Sequence, residues 1–405
     1  MSKLCITLPP FAPDYSGIAA ALFELGGLVV IHDASGCTGN YTGYDEPRWF
    51  GSDAAVFCSG LRHMDAVLGN DDLFISRIIA AALSLKPAFI AVLGSPVPMV
   101  IGTDFAGIAA EIEQRTGIPS FGFASNGLRY YGTGIAAAMR ALVERYADAA
   151  LPKTERTVNL LGMTPIDFAA GGNADDFIRA FEASGITVVA PFCMGLTLDA
   201  VKRCGTAALN VVVSQSGIAA ARFMQRKFGT PFIVRTPIGS EPAAVEEACA
   251  FFGGTKAAVR CEPATKGESD AYSEPAANGE PDDRLSSGGR VLIAGDQVVS
   301  DSIRCELRRR GFSGEICTAS LFDTDADFLQ PGDAAVRNEK QLRTLVRDGG
   351  YKTIVADPLV FQLVRDTSVR CIALPHPGVS GRLSWNTCLR YVSGTMDELI
   401  NHIMV

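Results

Sequence analysis

Three turns of this 405-residue chain combine glycine with a thiol or an imidazole. They read HDASGC (residues 32–37), FCSG (57–60) and LPHPGVSG (374–381). Each follows a short apolar run and so stands at the carboxyl end of an expected strand, where open parallel sheets collect ligands. Thiolates in such turns can hold a metal, and an imidazole can donate a proton near neutral pH. His376 lies between Pro375 and Pro377, which restrict the backbone on both sides and hold the ring in one place. The 11 cysteines are irregularly spaced and contain no C-x-x-C pair, which points away from a disulfide scaffold or a zinc ribbon. A metal site would have to join cysteines distant in sequence, or cysteines from more than one chain. The remaining strand-end turns, LGSPVPMVIGTD (93–104), VVSQSG (212–217) and AGDQ (294–297), contain no G-x-G-x-x-G fingerprint and no Walker A lysine. The chain is therefore expected to bind neither NAD nor ATP, and a redox role would need a metal centre and an external electron donor. No G-x-S-x-G hydrolase elbow occurs either.

The elements that must position these turns are short β-branched runs alternating with alanine-rich helical stretches, the pattern of parallel sheets with crossover helices. Strands are expected at 27–32, 54–58, 88–93 and 119–123, with helices at 18–25, 72–85, 105–114 and 135–146. A second set begins with a strand at 157–161, followed by a helix near 174–183, a strand at 186–190, and further strands in ALNVVVS and GTPFIVR. The order stops near Cys261. Residues 262–290 are polar, acidic and rich in Gly, Pro and Ser, a composition that buries little apolar surface and predicts a mobile linker or surface insertion. A third set opens at GGRVLIAGD, and the tail from 383 to 405 reads as helical. The expected fold is α/β with three Rossmann-like parallel-sheet units: 1–155 with a candidate site, 156–261, the linker 262–290, and 291–405 with a C-terminal helix.

With 48% hydrophobic and 20% charged residues, the composition is that of a soluble globular protein. A net charge of −8 without a basic tract argues against a nucleic-acid groove. The N-terminus reaches Pro9 and Pro10 before any useful apolar core, so no secretory signal is read and a cytoplasmic location with reduced thiols is expected.

Several segments, taken in order, resemble the nitrogenase component 1 type of oxidoreductase. ALFELGGLVVIHDASGCTGNY is similar to the stretch in which a helix and strand lead to a His, a glycine turn and a cluster cysteine. MDAVLGNDDLFISRIIAAALSLKPAFIAVLGSPVPMVIGTD, LNVVVSQSGIAAARFMQRKFGTPFIVRTPIG, GGRVLIAGD and LPHPGVSG follow at the family's spacing. The resemblance covers most of the chain outside 262–290. It implies a subunit that takes electrons from a separate ATP-dependent iron–sulfur protein through a [4Fe–4S] cluster. The short chain is closest in build to the small single-cluster relatives, such as dark-operative protochlorophyllide reductase and nickel-sirohydrochlorin diamide reductive cyclase subunits.

The departures narrow what is implied. Cys37 matches the middle of three family cluster cysteines, whereas the first falls near Pro13 and the third at Pro96. The family's cofactor cysteine corresponds to Ser214, while His376 matches the cofactor histidine. A molybdenum-type cofactor is therefore not expected. Clusters usually take four thiolates. Cys37 with Cys58 or Cys5 would supply two, and a two-fold dimer of identical or paralogous chains would supply four around its axis.

Plainer readings compete for each residue. Cys37 could be an ordinary strand-end thiol, Cys58 a small buried hydrophobe and Cys5 a terminal bystander. His376 serves equally as a proton donor or as a turn histidine bonded to backbone. Ser95 and Ser214 could contact a ligand or cofactor, or cap the next helix. His32 is expected to be anchored by Asp33 or another acid, and NYTGYDEPRWF (40–50) to be a docking loop, a lid over a flat aromatic ligand or a packed interface loop. The expected function is a nitrogenase-like reductase of an unidentified, tetrapyrrole-like substrate. The alternatives are a non-catalytic scaffold or carrier for cluster or tetrapyrrole assembly, and a metal-chelate binding module.

Overall fold

The computed structural model describes residues 6–254 and 289–405. Cys5, Cys261 and most of the expected linker lie outside them. The described chain forms three sheets, and every strand pairing in them is parallel.

The first sheet contains β1 (Leu28–Ile31), β2 (Ala55–Cys58), β3 (Ile90–Leu93) and β4 (Ser120–Phe123), in the order β2-β1-β3-β4. The second contains β5 (Thr154–Leu161), β6 (Thr187–Pro191), β7 (Ala207–Val212) and β8 (Phe232–Val234), in the order β6-β5-β7-β8. The third contains β9 (Val291–Gly295), β10 (Ile316–Ser320), β11 (Ala334–Ala335), β12 (Thr353–Ala356) and β13 (Arg370–Ala373), in the order β11-β10-β9-β12-β13. Helices cover both faces, so β1, β3, β9 and β12 are buried at every position. This burial explains their unbroken runs LVVI, IAVL, VLIAG and TIVA, where an alternating pattern would mark a half-exposed sheet.

The strand order reverses beside the first strand of every sheet, between β1 and β3, β5 and β7, and β9 and β12. Crossover chains diverge at these points and leave a crevice at the strand ends. The turns after β1 and β3 carry Cys37 and Ser95. Those after β5 and β7 carry Asp167 and Ser214, and those after β9 and β12 carry Asp296 and Asp357.

Most expected elements appear within a few residues. Two differ. A helix at Ala243–Phe252 extends the second unit. The tail is helical only over Gly394–Met404, after a short 3₁₀ turn at Gly381–Ser384. Between them the backbone bonds outward to Asn173: its Nδ2 donates to Leu389 O and its Oδ1 accepts from Tyr391 N, both at 2.9 Å. Those groups are then not paired within a helix. Among the described residues no helix is long and apolar enough to cross a membrane.

The first unit is locked by two helices, Asp14–Leu22 and Tyr131–Tyr146, that meet through glycine. A Cβ on Gly17 would collide with the Tyr131 carbonyl, and one on Gly134 with the Asp14 carbonyl. Backbone cannot yield there, so Gly134→Ala should destabilise the protein by about 1–3 kcal/mol. Gly394→Ala, which adds its methyl to open space, should change stability by no more than about 0.5 kcal/mol. Equilibrium denaturation midpoints of the two variants check the difference.

Candidate functional site

A cleft of about 960 Å³ opens between the first and third units. Its first-unit side includes Tyr15, Cys37, Asn40, Tyr44 and Asp45, and its third-unit side runs from Pro377 to Leu383. The segment 9–13, with Pro9, Pro10 and Pro13, closes another side. That segment is tied to both units. Ala12 N donates to Gly378 O at 3.1 Å, and Tyr131 N donates to Ala12 O at 3.0 Å. Just before it, Ile6, Thr7 and Leu8 all donate backbone N–H to Glu339 Oε2 at 2.8–2.9 Å. Burial would raise the Glu339 carboxyl, but these donors and Arg343 outweigh it and hold it down at about 2.

Cys37 is the second residue of the short helix Gly36–Asn40 on the cleft wall. Burial pushes its thiol above the ordinary value, while the neighbouring Tyr15 and Ser95 hydroxyls act in the opposite direction and the Asp33 charge adds to the rise. Of the two, Ser95 donates its one proton to His32 O, so the Tyr15 hydroxyl is the group that would partly neutralise a ligating thiolate. Cys58 ends β2 in register with Ile31. Its thiol donates to Asp33 O at 3.2 Å and its sulfur accepts from Gly60 N at 3.3 Å. As a metal ligand it would have to give up the first of these bonds. Among the described residues no group of three or more His, Cys, Asp or Glu could hold a metal ion. A cluster therefore fits one chain only as a partial donor set, with Cys37 the better placed member. Pro13 lines the same cleft as Cys37, and Pro96 packs against Gly127 in its wall. The places of the two missing family cysteines are thus brought together with Cys37.

The remaining sequence candidates lie outside the cleft lining. Ser95 is buried and its hydroxyl donates to His32 O at 2.8 Å. Ser214 is buried, donates to Gly162 O at 2.7 Å and pairs with Ser216 Oγ at 2.7 Å. Neither serine lines the cleft, and neither side chain caps a helix. Both hydroxyls satisfy strand-end carbonyls. His376 is buried behind the cleft wall, of which Pro377 and Gly378 form part. Its Nδ1 accepts from Gly378 N at 3.1 Å, so the proton of the neutral ring sits on Nε2. That nitrogen faces Asp167 Oδ1 at 3.4 Å.

His32 is held by Ser59, whose hydroxyl lies 2.8 Å from Nδ1, and stacks on Phe74 with ring centroids 4.0 Å apart, so no acid anchors it directly. The 40–50 segment is not an open loop: it continues the Gly36–Asn40 helix as a π turn, Tyr41–Asp45. Tyr41 is wholly buried, and Arg48 is clasped by Glu46 at 2.7 Å and Glu24 at 2.9 Å. Tyr44 alone of the aromatics singled out there reaches the cleft.

Sequence reasoning missed two groups. The first is Asp45 with its donors Ser16 and Asn40. The second surrounds Asp167, which is 1% exposed. Tyr131 from the first unit donates to Asp167 Oδ1 at 2.5 Å, and Thr164 from the second donates to Oδ2 at 3.1 Å. Ser216 adds a longer bond at 3.4 Å, and His376 approaches from the third unit. Asp296, also buried, has its carboxyl raised chiefly by burial and then by the Asp167 charge. A lone Asp in a P-I-D-F stretch carries no periodic or spacing signal that would have exposed this role.

Comparison with known proteins follows the same lines. The profile of the nitrogenase component 1 type oxidoreductases matches residues 14–303. A light-independent protochlorophyllide reductase subunit from Prosthecochloris aestuarii is 36% identical over 104 residues, covering 25% of this chain and 19% of that protein. Its counterpart from Chloroflexus aggregans is 31% identical over 142 residues, covering 34% and 26%. The matched region thus spans about a fifth to a quarter of these relatives' length. A solved nitrogenase structure, nitrogenase Cp1 at pH 5, superposes with a TM-score of 0.65 at 16% identity over 100% of this chain and 90% of that one, which establishes a shared fold.

Two outcomes are expected. Tyr131→Phe should cost about 1–3 kcal/mol in equilibrium denaturation, because it removes a donor from a buried carboxylate. His32 is pushed down from 6.5 to about 4, chiefly by burial. The folded state then binds fewer protons than the unfolded one, so this contribution is complete above about pH 6.5 and is lost as pH falls toward about 4. The His32→Gln variant should show a flatter stability profile across that window.

Proposed function

The chain belongs to the nitrogenase component 1 type oxidoreductase family, and from that premise we propose that it is the substrate-reducing subunit of a two-component reductase. An ATP-dependent iron–sulfur protein docks and delivers electrons. A [4Fe–4S] cluster, held by Cys37 with Cys58 or Cys5 and completed by a second identical or paralogous chain, supplies one-electron transfer when bound. The substrate is a conjugated, tetrapyrrole-like molecule, the class named for the protochlorophyllide reductase relatives.

The observation that carries this reading is Cys37 on the wall of the cleft, with Tyr15 and Pro13 lining the same wall. The cleft is large enough for a macrocycle, since drug-sized and cofactor-sized pockets run from about 300 to 1,000 Å³. Its walls are mostly rigid and apolar, with Pro9, Pro10, Phe11, Val379 and Leu383 among them. A second chain is favoured by the surface beyond β2 and β3. Phe57, Val67, Leu68 and Val100 are 48%, 65%, 70% and 78% exposed there, flanking the Cys58 and Ser95 turns. Clustered apolar exposure of this kind marks a surface that another protein covers. Ser95 takes a positioning role beneath Cys37, Ser214 ties the second unit's turns, and His376 holds the Pro377–Ser380 turn in the wall.

A scaffold that carries a cluster or tetrapyrrole without turnover is the second reading. Proline at both positions of the missing family cysteines favours it. Anaerobic preparation separates the two. The reductase reading expects iron, an EPR signal after reduction, a dimer, and consumption of protochlorophyllide that needs both the iron–sulfur donor protein and ATP. A scaffold keeps the iron and shows no donor-dependent turnover. Cys37→Ala should lose the iron and the signal while the chain remains folded by circular dichroism; a full cluster in that variant would remove the ligand assignment.

A further inference from the structure

We infer that Asp45, and not His376, is the proton donor to the substrate in the cleft. The inference rests on the reductase reading above and adds a residue with a defined chemical role to it.

Asp45 closes the π turn Tyr41–Asp45 and lines the cleft that Cys37 also lines. The residue is 6% exposed. Two donors converge on one carboxyl oxygen: Ser16 Oγ at 2.6 Å and Asn40 Nδ2 at 2.8 Å, both to Oδ2. Among the described residues no hydrogen bond reaches Oδ1. Oδ2 is therefore held as the carbonyl-like oxygen, and Oδ1 is the atom left to carry a proton into the cleft. His376 is not among the residues that line the cleft: Gly378 N occupies its Nδ1, and Nε2, which has no hydrogen-bond partner among the described residues, faces Asp167 at 3.4 Å behind the wall.

The surroundings favour the neutral acid. On the first helix stand Tyr15 and Ser16; from the next come Cys37 and Asn40; beyond them lie Tyr41, Glu46 and Arg48. Arg48 lies closest to the carboxylates of Glu46 and Glu24, not to Asp45. Ser380 and Arg382 are the polar groups on the third unit's side of the cleft. Burial raises the Asp45 carboxyl to about 7; the Ser16 and Asn40 hydrogen bonds oppose the rise and the Glu46 charge adds to it. A value near the working pH is what efficient general-acid transfer requires.

Reduction of one substrate double bond takes two electrons, supplied by the iron–sulfur donor protein, and two protons. The Asp45 Oδ1–H bond breaks as a new C–H bond forms, leaving a carboxylate that Ser16 and Asn40 stabilise. Solvent entering the cleft returns the proton before the next turnover, and the second proton comes from solvent.

The test pairs Asp45→Asn with Asp45→Glu. Infrared titration of the wild type should show a protonated-carboxyl band that disappears as pH rises through about 7 and is absent in Asp45→Asn. With protochlorophyllide, donor protein and ATP, the wild-type rate should fall over the same window, because the donor must be protonated. Asp45→Asn should be slower by about 10²- to 10⁴-fold with a flat pH profile, at unchanged iron content and EPR signal, and Asp45→Glu should recover part of the rate. An Asp45→Asn variant that keeps the wild-type rate and profile overturns the inference. If the wild type does not consume protochlorophyllide, the reductase reading fails on its own. The infrared arm still decides for Asp45: a carboxyl already ionised at about pH 6 overturns its assignment, and a protonated one supports it.

Discussion

A single carboxylate, Asp167, joins all three sheets. It is removed from solvent, and an uncompensated buried charge is far more costly than a buried hydroxyl. The fold meets that cost with donors from the first and second units, Tyr131, Thr164 and Ser216, while the His376 ring of the third stands 3.4 Å away. Each of these side chains stands on a turn at a strand's carboxyl end or on the helix beside it. Satisfying Asp167 therefore fixes the relative placement of the elements that wall the cleft. Tyr131 also begins the helix that meets Asp14–Leu22 at Gly17 and Gly134. Tyr15 and Ser16 on that helix are thus positioned by the same contact.

This arrangement places the chemistry one layer in front of the structural acid. Behind the wall, His376, Asp167 and Asp296 bond to one another's neighbours and to backbone. In front of it, Cys37, Tyr15 and Asp45 reach the cleft. The separation explains why an imidazole between two prolines, well suited to acid–base work by its sequence context, uses Nδ1 to hold a turn and turns Nε2 toward Asp167.

How much could be read from the sequence follows from the same division. The strand-end turns were legible because glycine and unbroken apolar runs are local signals, and Cys37, on the cleft wall, stands in one of them. The α/β class and the first unit's strands were legible for the same reason. Asp45 and Asp167 were not, because nothing local distinguishes a buried acid from a surface one; their burial comes from residues distant in sequence. Ser95 and Ser214 stood at the right strand ends, but which atom a hydroxyl bonds depends on the neighbouring strand's turn. The 40–50 segment misled because its glycine, proline and aromatics resemble a loop, whereas Tyr41 and Arg48 are drawn inward by Glu46. Asn173 captured backbone groups of the tail in the same non-local way.

The glycine crossing of Asp14–Leu22 with Tyr131–Tyr146 also bears on redesign for other ligands. The two helices meet backbone to backbone, so the cleft side that carries Tyr15 has no slack into which a larger guest could push it. The opposite rim is different. Leu383 is 75% exposed, and it follows Arg382 in a short 3₁₀ turn. Variants meant to admit bulkier or differently shaped molecules should be sought on that rim, leaving the helix pair untouched.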